Sequence, residues 1–423
     1  MSSVYQDLFD YVNSLTIIDS HEHLEPWEHR RDKNADVLWE YLHHYFSSDL
    51  VAAGMKRADM EAARDVTKPL MERWKTLEPY WNLARNTAYG RALDLSVRKL
   101  YGIDRIDGST IEQLNEAFRK TLAEGQNHYQ RVLKDLCNIE FSVLDNDLDH
   151  DKTFFRSSVS VDSYILFKSW DFIDEIEEES GVDICCFDDY LAACEAMLDL
   201  ALEQGAVTLK IHAAYRRTLY FEPVSHADAE KCFLEMLKHK PRSAWESSTI
   251  LPDKAFQDYM MHYILRYANR RGLTCQFHTG LQESGENDIT RTDPSLMSNL
   301  FVMYPKVKFD LFHIGYPYQH VMAALGKMHT NVYLDMCWAH IISPAASMAA
   351  LDDWLDSVPV NKIIGFGGDY HIIDAVYGHQ LMARQNISKV LARKVEDGVY
   401  TLEEAKWMAK RILYDNGKEL YTR

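Results

Sequence analysis

His21 and His23 stand one residue apart, directly after the apolar run Leu15-Thr16-Ile17-Ile18 and Asp19. A strand alternates its side chains with period two, so Asp19, His21 and His23 share one face while Ser20 and Glu22 take the other. Two imidazoles at a strand end suit a divalent metal, because each offers a neutral ring nitrogen. By itself a His-x-His pair fits two incidental surface histidines equally well. Its weight depends on residues far along the chain.

Later apolar runs end in residues of the same kind. Lys210 and His212 are again two apart, His278 lies in Gln276-Phe277-His278-Thr279-Gly280, His313 follows Asp310-Leu311-Phe312, and Asp369 ends Gly365-Phe366-Gly367-Gly368-Asp369. Singly, each has an ordinary reading: a hydrogen-bonded structural histidine, a surface lysine, or, for Asp369, the N-cap of a helix starting near His371. Jointly, at successive strand ends, they describe one distributed site. Asp335, Trp338 and His340 fall near the same end; Glu283 and Glu286 read as exposed loop acids.

The elements that carry these residues are clearest in the second half. Val207–Ile211, Leu273–Phe277, Val307–Phe312, Val332–Met336 and Ile363–Phe366 read as strands, each preceded by an amphipathic helical stretch. Thr16–Asp19, Ile139–Leu144 and Tyr164–Phe167 bring the strands to eight. Eight strand–helix units predict an α/β fold, a closed (β/α)8 TIM barrel whose strand ends converge on one mouth. Residues 35–136 carry no strand signal and read as helical, with Trp39, Tyr41, Tyr45, Phe46, Trp74, Tyr80, Trp81 and Tyr89 as packing aromatics. The chain thus divides into a barrel, 1–34 and 137–423, and a large helical insertion after the first strand, 35–136, expected over the mouth as a lid. A smaller insertion runs from Ala213 to about Pro252, with Pro223 and Pro241 marking its loops.

A hydrophobic content of 47% in 423 residues is ample for a core, and no 18-residue apolar run suggests a membrane span. A net charge of −18 argues against nucleic acid as a partner. Seven cysteines without framework spacing, and an N-terminus without a secretion pattern, predict a cytoplasmic location. Aromatics of the insertion leave a homo-oligomer open.

With these residues in place, the chain resembles the amidohydrolase superfamily of metal-dependent (β/α)8 enzymes, since His21/His23, Lys210, His278, His313 and Asp369 follow the family's order. The Phe-His-Thr-Gly and Gly-Gly-Asp surroundings look most like the branch that contains acid decarboxylases, lactonases and a glutamine-synthetase-associated amidohydrolase domain. The long insertion is similar to that of uronate isomerases, although the eighth strand ends in Gly365–Asp369 in place of their tryptophan-rich segment. The resemblance implies that His21, His23 and Asp369 hold a divalent metal, with His278 a further ligand or a substrate contact. His313 would ligate a second metal or polarise substrate; Lys210 would bridge two metals if carboxylated, or contact substrate as an amine. One or two ions are expected, zinc first, with manganese or iron as alternatives.

The expected chemistry is hydrolysis of an amide, ester or lactone by a metal-bound water whose pKa is lowered to about 7. Asp369 would move its proton, and His278 or His313 would steady the oxyanion. A uronate isomerase-like sugar-acid isomerase or a metal-dependent decarboxylase is the alternative on the same barrel, and a non-catalytic barrel comes third. Arg216 and Arg217, with Arg30-Arg31, point to a small carboxylate-bearing substrate, because guanidinium groups bind carboxylates bidentately; both pairs would serve acidic neighbours equally well.

Overall fold

The computed structural model describes residues 2–125, 127–239, 250–284 and 287–422, so Pro241 and Glu286 lie outside the described residues. Helix α1 (Ser3–Ser14) leads into eight strands: β1 Ile17–Glu22, β2 Ile139–Leu144, β3 Phe155–Ser160, β4 Ala206–Ile211, β5 Thr274–Phe277, β6 Lys308–Leu311, β7 Val332–Asp335 and β8 Ile363–Ile364. They pair in parallel, each with the next in sequence. The seam closes just beyond β8. Ser20 N–H donates to Phe366 O (3.0 Å), Asp369 N–H to His21 O (2.8 Å) and His23 N–H to Tyr370 O (3.1 Å). The result is a (β/α)8 barrel whose first and last strand ends are hydrogen-bonded to each other.

Two strand expectations need correction. The third strand is Phe155–Ser160, while Tyr164–Phe167 falls in helix Asp162–Leu166 and its C-cap. A short apolar run does not distinguish a buried helical turn from a strand, and Phe-Arg-Ser-Ser-Val-Ser hides its strand character behind hydroxyls. Ser157 Oγ is satisfied by Ser158 O (2.8 Å) and Ser158 Oγ by Asp145 (3.3 Å). The eighth strand is shorter than Ile363–Phe366, because the Gly365 N–H turns to Ile412 O (2.9 Å) instead of a neighbouring strand.

Between β1 and β2 the described residues form α2 (Val37–Tyr41), α3 (Phe46–Ala52), α4 (Arg57–Arg64), α5 (Leu70–Ala84), α6 (Ala88–Tyr101), α7 (Ile111–Glu124) and a π-helical turn, Gln130–Leu136. Tyr41, Tyr45, Phe46, Trp74 and Trp81 are buried, and their cluster is continuous with the core around the barrel. Among the described residues no helix is long and apolar enough to cross a membrane.

Two contacts fasten these helices to the helix Ile373–Glu396, which follows β8. A Cβ on Gly378 would overlap the Ala92 carbonyl, so glycine is what lets α6 approach this closely, and the Gly378 N–H donates to Ser96 Oγ (2.9 Å). One turn earlier, the fully buried Asp374 accepts from Tyr41 Oη (2.7 Å), Tyr101 Oη (2.8 Å) and His128 Nε2 (2.7 Å). Burial alone would raise this carboxyl, but the His128 bond and charge, then Arg31, bring it down to about 2.

That depressed value makes Asp374 a pH-dependent bolt. Its contribution, about 2–3 kcal/mol, is complete above roughly pH 4, where an unfolded aspartate is ionised, and is lost as pH falls towards 2. Asp374→Asn is expected to cost about that amount at pH 7 by chemical denaturation. The gap to the unsubstituted protein should narrow as pH falls from about 4 to 2; a constant gap would remove the ionic explanation.

Candidate metal centre

β1 carries His21 into the barrel mouth with its ring fully buried, and His23 follows just past the strand end. Their Nε2 atoms lie 3.3 Å apart. Asp369 Oδ1 completes a triangle, 3.1 Å from His23 Nε2 and 3.7 Å from His21 Nε2. A divalent ion about 2.0–2.2 Å from each ligand holds tetrahedral ligands roughly 3.3 Å apart, which is the spacing of these atoms. Burial, then Lys210 and His23, pushes His21 well below the usual histidine pKa, so its ring is neutral and offers a lone pair. Burial would raise Asp369, but the His23 bond and the His21 and His313 rings hold it well below the carboxylate range. Two imidazole nitrogens and an ionised oxygen facing one point fit a cation.

His313 (φ 66°), Trp338 (φ 62°) and Asp369 (φ 56°), each just beyond its strand, are among the residues at this mouth that hold left-handed backbone. Such conformations cost of order 1–3 kcal/mol in non-glycine residues and cluster at functional sites. They aim side chains inward that an extended chain would carry past the mouth.

His278 and His313 form a second pair. His278 Nε2–H donates to Leu281 O (2.8 Å) and His313 Nδ1–H to Cys337 O (3.0 Å). The remaining nitrogens, His278 Nδ1 and His313 Nε2, face each other at 2.9 Å. Burial pushes His313 down to about 4, and burial with His313 and Lys210 takes His278 well below its ordinary value. Both rings therefore present lone pairs. His313 also lies 3.8 Å from Asp369 Oδ2 and joins Cys337 and Asp369 as a ligand group. His278, expected as a further metal ligand, belongs to none of the candidate groups among the described residues; it reaches the site through His313.

The basic residues occupy different surroundings. Lys210 is buried inside the barrel with Nζ 3.8 Å from the Phe312 ring centroid, and the same ring packs against His21. Arg216 is exposed and donates to Leu166 O (3.3 Å). Arg217 is buried, and its guanidinium donates to Asp258 (2.5 Å), Gln257 (3.0 Å), Tyr220 O (2.9 Å) and Thr218 O (3.1 Å). Arg31 is likewise paired with Glu40 (3.0 Å) and Arg30 with Asp149 (2.5 Å). Of the residues noted beyond β7, Trp338 packs edge-on to His313 (5.1 Å), whereas His340 bonds Gly365 O (3.0 Å). Glu283 is half-buried, not exposed.

Several site residues went unassigned. Asp145, directly after β2, lies 3.7 Å from His23 Nδ1 and 3.2 Å from His212 Nε2, and His212 Nδ1 is 3.3 Å from Asp162. Burial opposes charge on His212, but Asp145 and Asp162 outweigh it and raise it to about 9. Asp145 satisfied the same strand-end criterion that singled out Asp369. Tyr45, read as core, donates its hydroxyl to Asp369 O (2.6 Å) and stacks on Trp338 (4.5 Å). Tyr215 packs on His278 (4.5 Å), and His371 stacks on His23 (4.9 Å).

The matches to known families divide the chain. A glucuronate isomerase model matches residues 2–292 and an amidohydrolase model residues 242–422. Protein fluG of Emericella nidulans is 27% identical over 231 residues, 53% of this chain and 26% of that protein. A uronate isomerase of Shouchella clausii is 25% identical over 297 residues, 64% of this chain and 58% of that protein. The chain therefore matches about a quarter of the first relative and little more than half of the second. The crystal structure of a uronate isomerase from Thermotoga maritima superposes with a TM-score of 0.80 at 17% identity, covering 100% of this chain and 98% of its own. That likeness shows the fold.

If the triangle is a metal site, His21→Ala should lower Zn2+ affinity by more than the roughly 10–100-fold typical of losing an outer partner, read by competition against a chromophoric chelator. Unchanged affinity in both His21→Ala and Asp369→Ala would dismiss the site.

Proposed function

The chain belongs to the glucuronate isomerase family, and from that premise we propose that it interconverts an aldose uronic acid with its keto isomer at a divalent metal held by His21, His23 and Asp369. The expectation of a hydrolase is corrected by the comparisons, because the model matching residues 2–292 describes an isomerase and the Shouchella clausii relative is one. Family membership stands even though the eighth strand lacks the tryptophan-rich ending. The observation that carries the proposal is the convergence of His21 Nε2, His23 Nε2 and Asp369 Oδ1 beneath a helical insertion that bonds the same aspartate through Tyr45. Two imidazoles and a carboxylate suit zinc first, with manganese or iron as alternatives.

An aldose–ketose isomerisation moves one hydrogen between adjacent carbons and one between their oxygens, and takes up no water. The bound ion supplies polarisation of the substrate carbonyl. Asp369, whose Oδ2 lies 3.8 Å from His313 Nε2, takes the proton from the carbon beside the carbonyl and returns it to the neighbouring carbon. The facing nitrogens of His278 and His313 take and return the hydroxyl proton, since two lone pairs 2.9 Å apart accept one proton jointly. Burial, assisted by the charge of Lys210, lowers the pKa of both rings and keeps them acceptors at rest.

Tyr45, Trp338 and Tyr370 wall the mouth with buried aromatic surface, which excludes water from the reacting carbons. Residues 35–136 act as the lid. Arg216, exposed in the loop after β4 with Nη1 donating to Leu166 O (3.3 Å), remains the contact for the substrate carboxylate.

Metal-loaded protein is expected to interconvert glucuronate or galacturonate with the keto acid, and in D2O to place deuterium on the carbon next to the carbonyl. Asp369→Asn, assayed at saturating metal, should lower kcat by about 10²–10⁴-fold. No interconversion across a panel of uronates at full metal loading would refute the proposal.

A further inference from the structure

The backbone around Asp369 is held by β1 itself. Three successive N–H groups, those of Gly368, Asp369 and Tyr370, donate to Asp19 Oδ1 (2.9 Å), His21 O (2.8 Å) and Glu22 Oε2 (2.7 Å). Asp19 also accepts from the His21 N–H (3.3 Å) with the same oxygen and from Ser142 Oγ (2.8 Å) with the other. Both carboxyls are buried at a register shift between Asp19 and Glu22 in the β1–β2 pairing, which breaks the simple alternation and lets both turn towards the segment after β8.

The glycines before Asp369 are explained by the same contacts. A Cβ on Gly368 would overlap Glu22 Oε1, and one on Gly367 would press on Ser20 Oγ and Cys337 Sγ. Asp369 itself is left-handed, at φ 56°. A strained residue carrying a ligand atom needs its backbone over-determined, and here every N–H from 368 to 370 is bound by the strand that supplies the other two ligands.

We infer that Asp19 and Glu22 are positioning residues for the metal centre: the segment Asp19-Ser20-His21-Glu22-His23 supplies two ligands and, through its two carboxyls and the His21 carbonyl, clamps the loop that supplies the third. The inference rests on the reading of Asp369 as a ligand. It assigns Asp19 and Glu22 no contact with substrate. Partners that orient a ligand without touching the ion typically change affinity by about 10–100-fold when removed.

Zn2+ affinity of the metal-stripped protein, measured by chelator competition, tests the clamp without reference to turnover. Glu22→Ala should weaken Zn2+ binding at least about tenfold, whereas Glu22→Gln, which keeps an oxygen for the Tyr370 N–H, should stay close to the unsubstituted protein. Gly368→Ala should reproduce the loss by displacing Glu22. In the Glu22→Ala background the same change should cost little further, because the overlapping oxygen is gone. Native affinity in a folded Glu22→Ala protein overturns the inference, as does full additivity of Glu22→Ala and Gly368→Ala. Should Glu22→Ala not fold, Gly368→Ala with Glu22→Gln decides: equal Zn2+ affinity in both overturns it. Asp369→Ala separates the two readings. If it keeps Zn2+, the metal assignment fails; if it loses Zn2+ while Glu22→Ala does not, only the clamp fails.

Discussion

One hydrogen bond does two jobs in this molecule. The Asp369 N–H donates to the His21 carbonyl; it is the middle of the three bonds that close the barrel seam, and it brings the first and last candidate ligands into one triangle. A barrel without that closure would expose two unpaired strand edges and leave the His21/His23 pair without its carboxylate. Fold and site are therefore not separable here. The left-handed backbone at His313, Trp338 and Asp369 is sustained by the closed ring of strands around it.

The helical insertion is tied to this seam from above. Asp374 sits five residues beyond Asp369, so the carboxylate that receives Tyr41, Tyr101 and His128 is on the same short path as the ligand loop. Tyr45, four residues past Tyr41, reaches back to the Asp369 carbonyl. The covering helices and the candidate ligand Asp369 thus share one stretch of chain, and any movement of the cover is felt at the aspartate. Charges that serve only packing lie elsewhere, as in the Arg217–Asp258 pair.

Much of this was legible from residue types and spacing. The barrel, with His21, His23 and Asp369 at its strand ends, followed from apolar runs ending in polar residues, and the helices after β1 from a stretch without strand signal. What was hidden has physical reasons. β3 is rich in serine, whose hydroxyls are satisfied internally, so hydropathy could not find it. The pairing of Arg217 with Asp258, 41 residues on, was not legible because nothing local foretells it. Tyr45 read as core because it is core; that its hydroxyl meets Asp369 depends on a contact across 324 residues. Hydrolysis and isomerisation use the same ligands, so strand-end residues alone could not separate them.

The seam also sets an order of events during synthesis. Asp19 and Gly368 are 349 positions apart, so His21 and His23 emerge from the ribosome long before the residue that completes their site. Such non-local pairings form late, after the intervening chain has collapsed. A nascent chain stalled before β8 holds two imidazoles and no third ligand, and cannot retain an ion with the grip of the finished barrel. A metal held at this triangle, as proposed above, would require the chain to be complete through its eighth strand, so its loading would couple to the last stage of folding, not to the first.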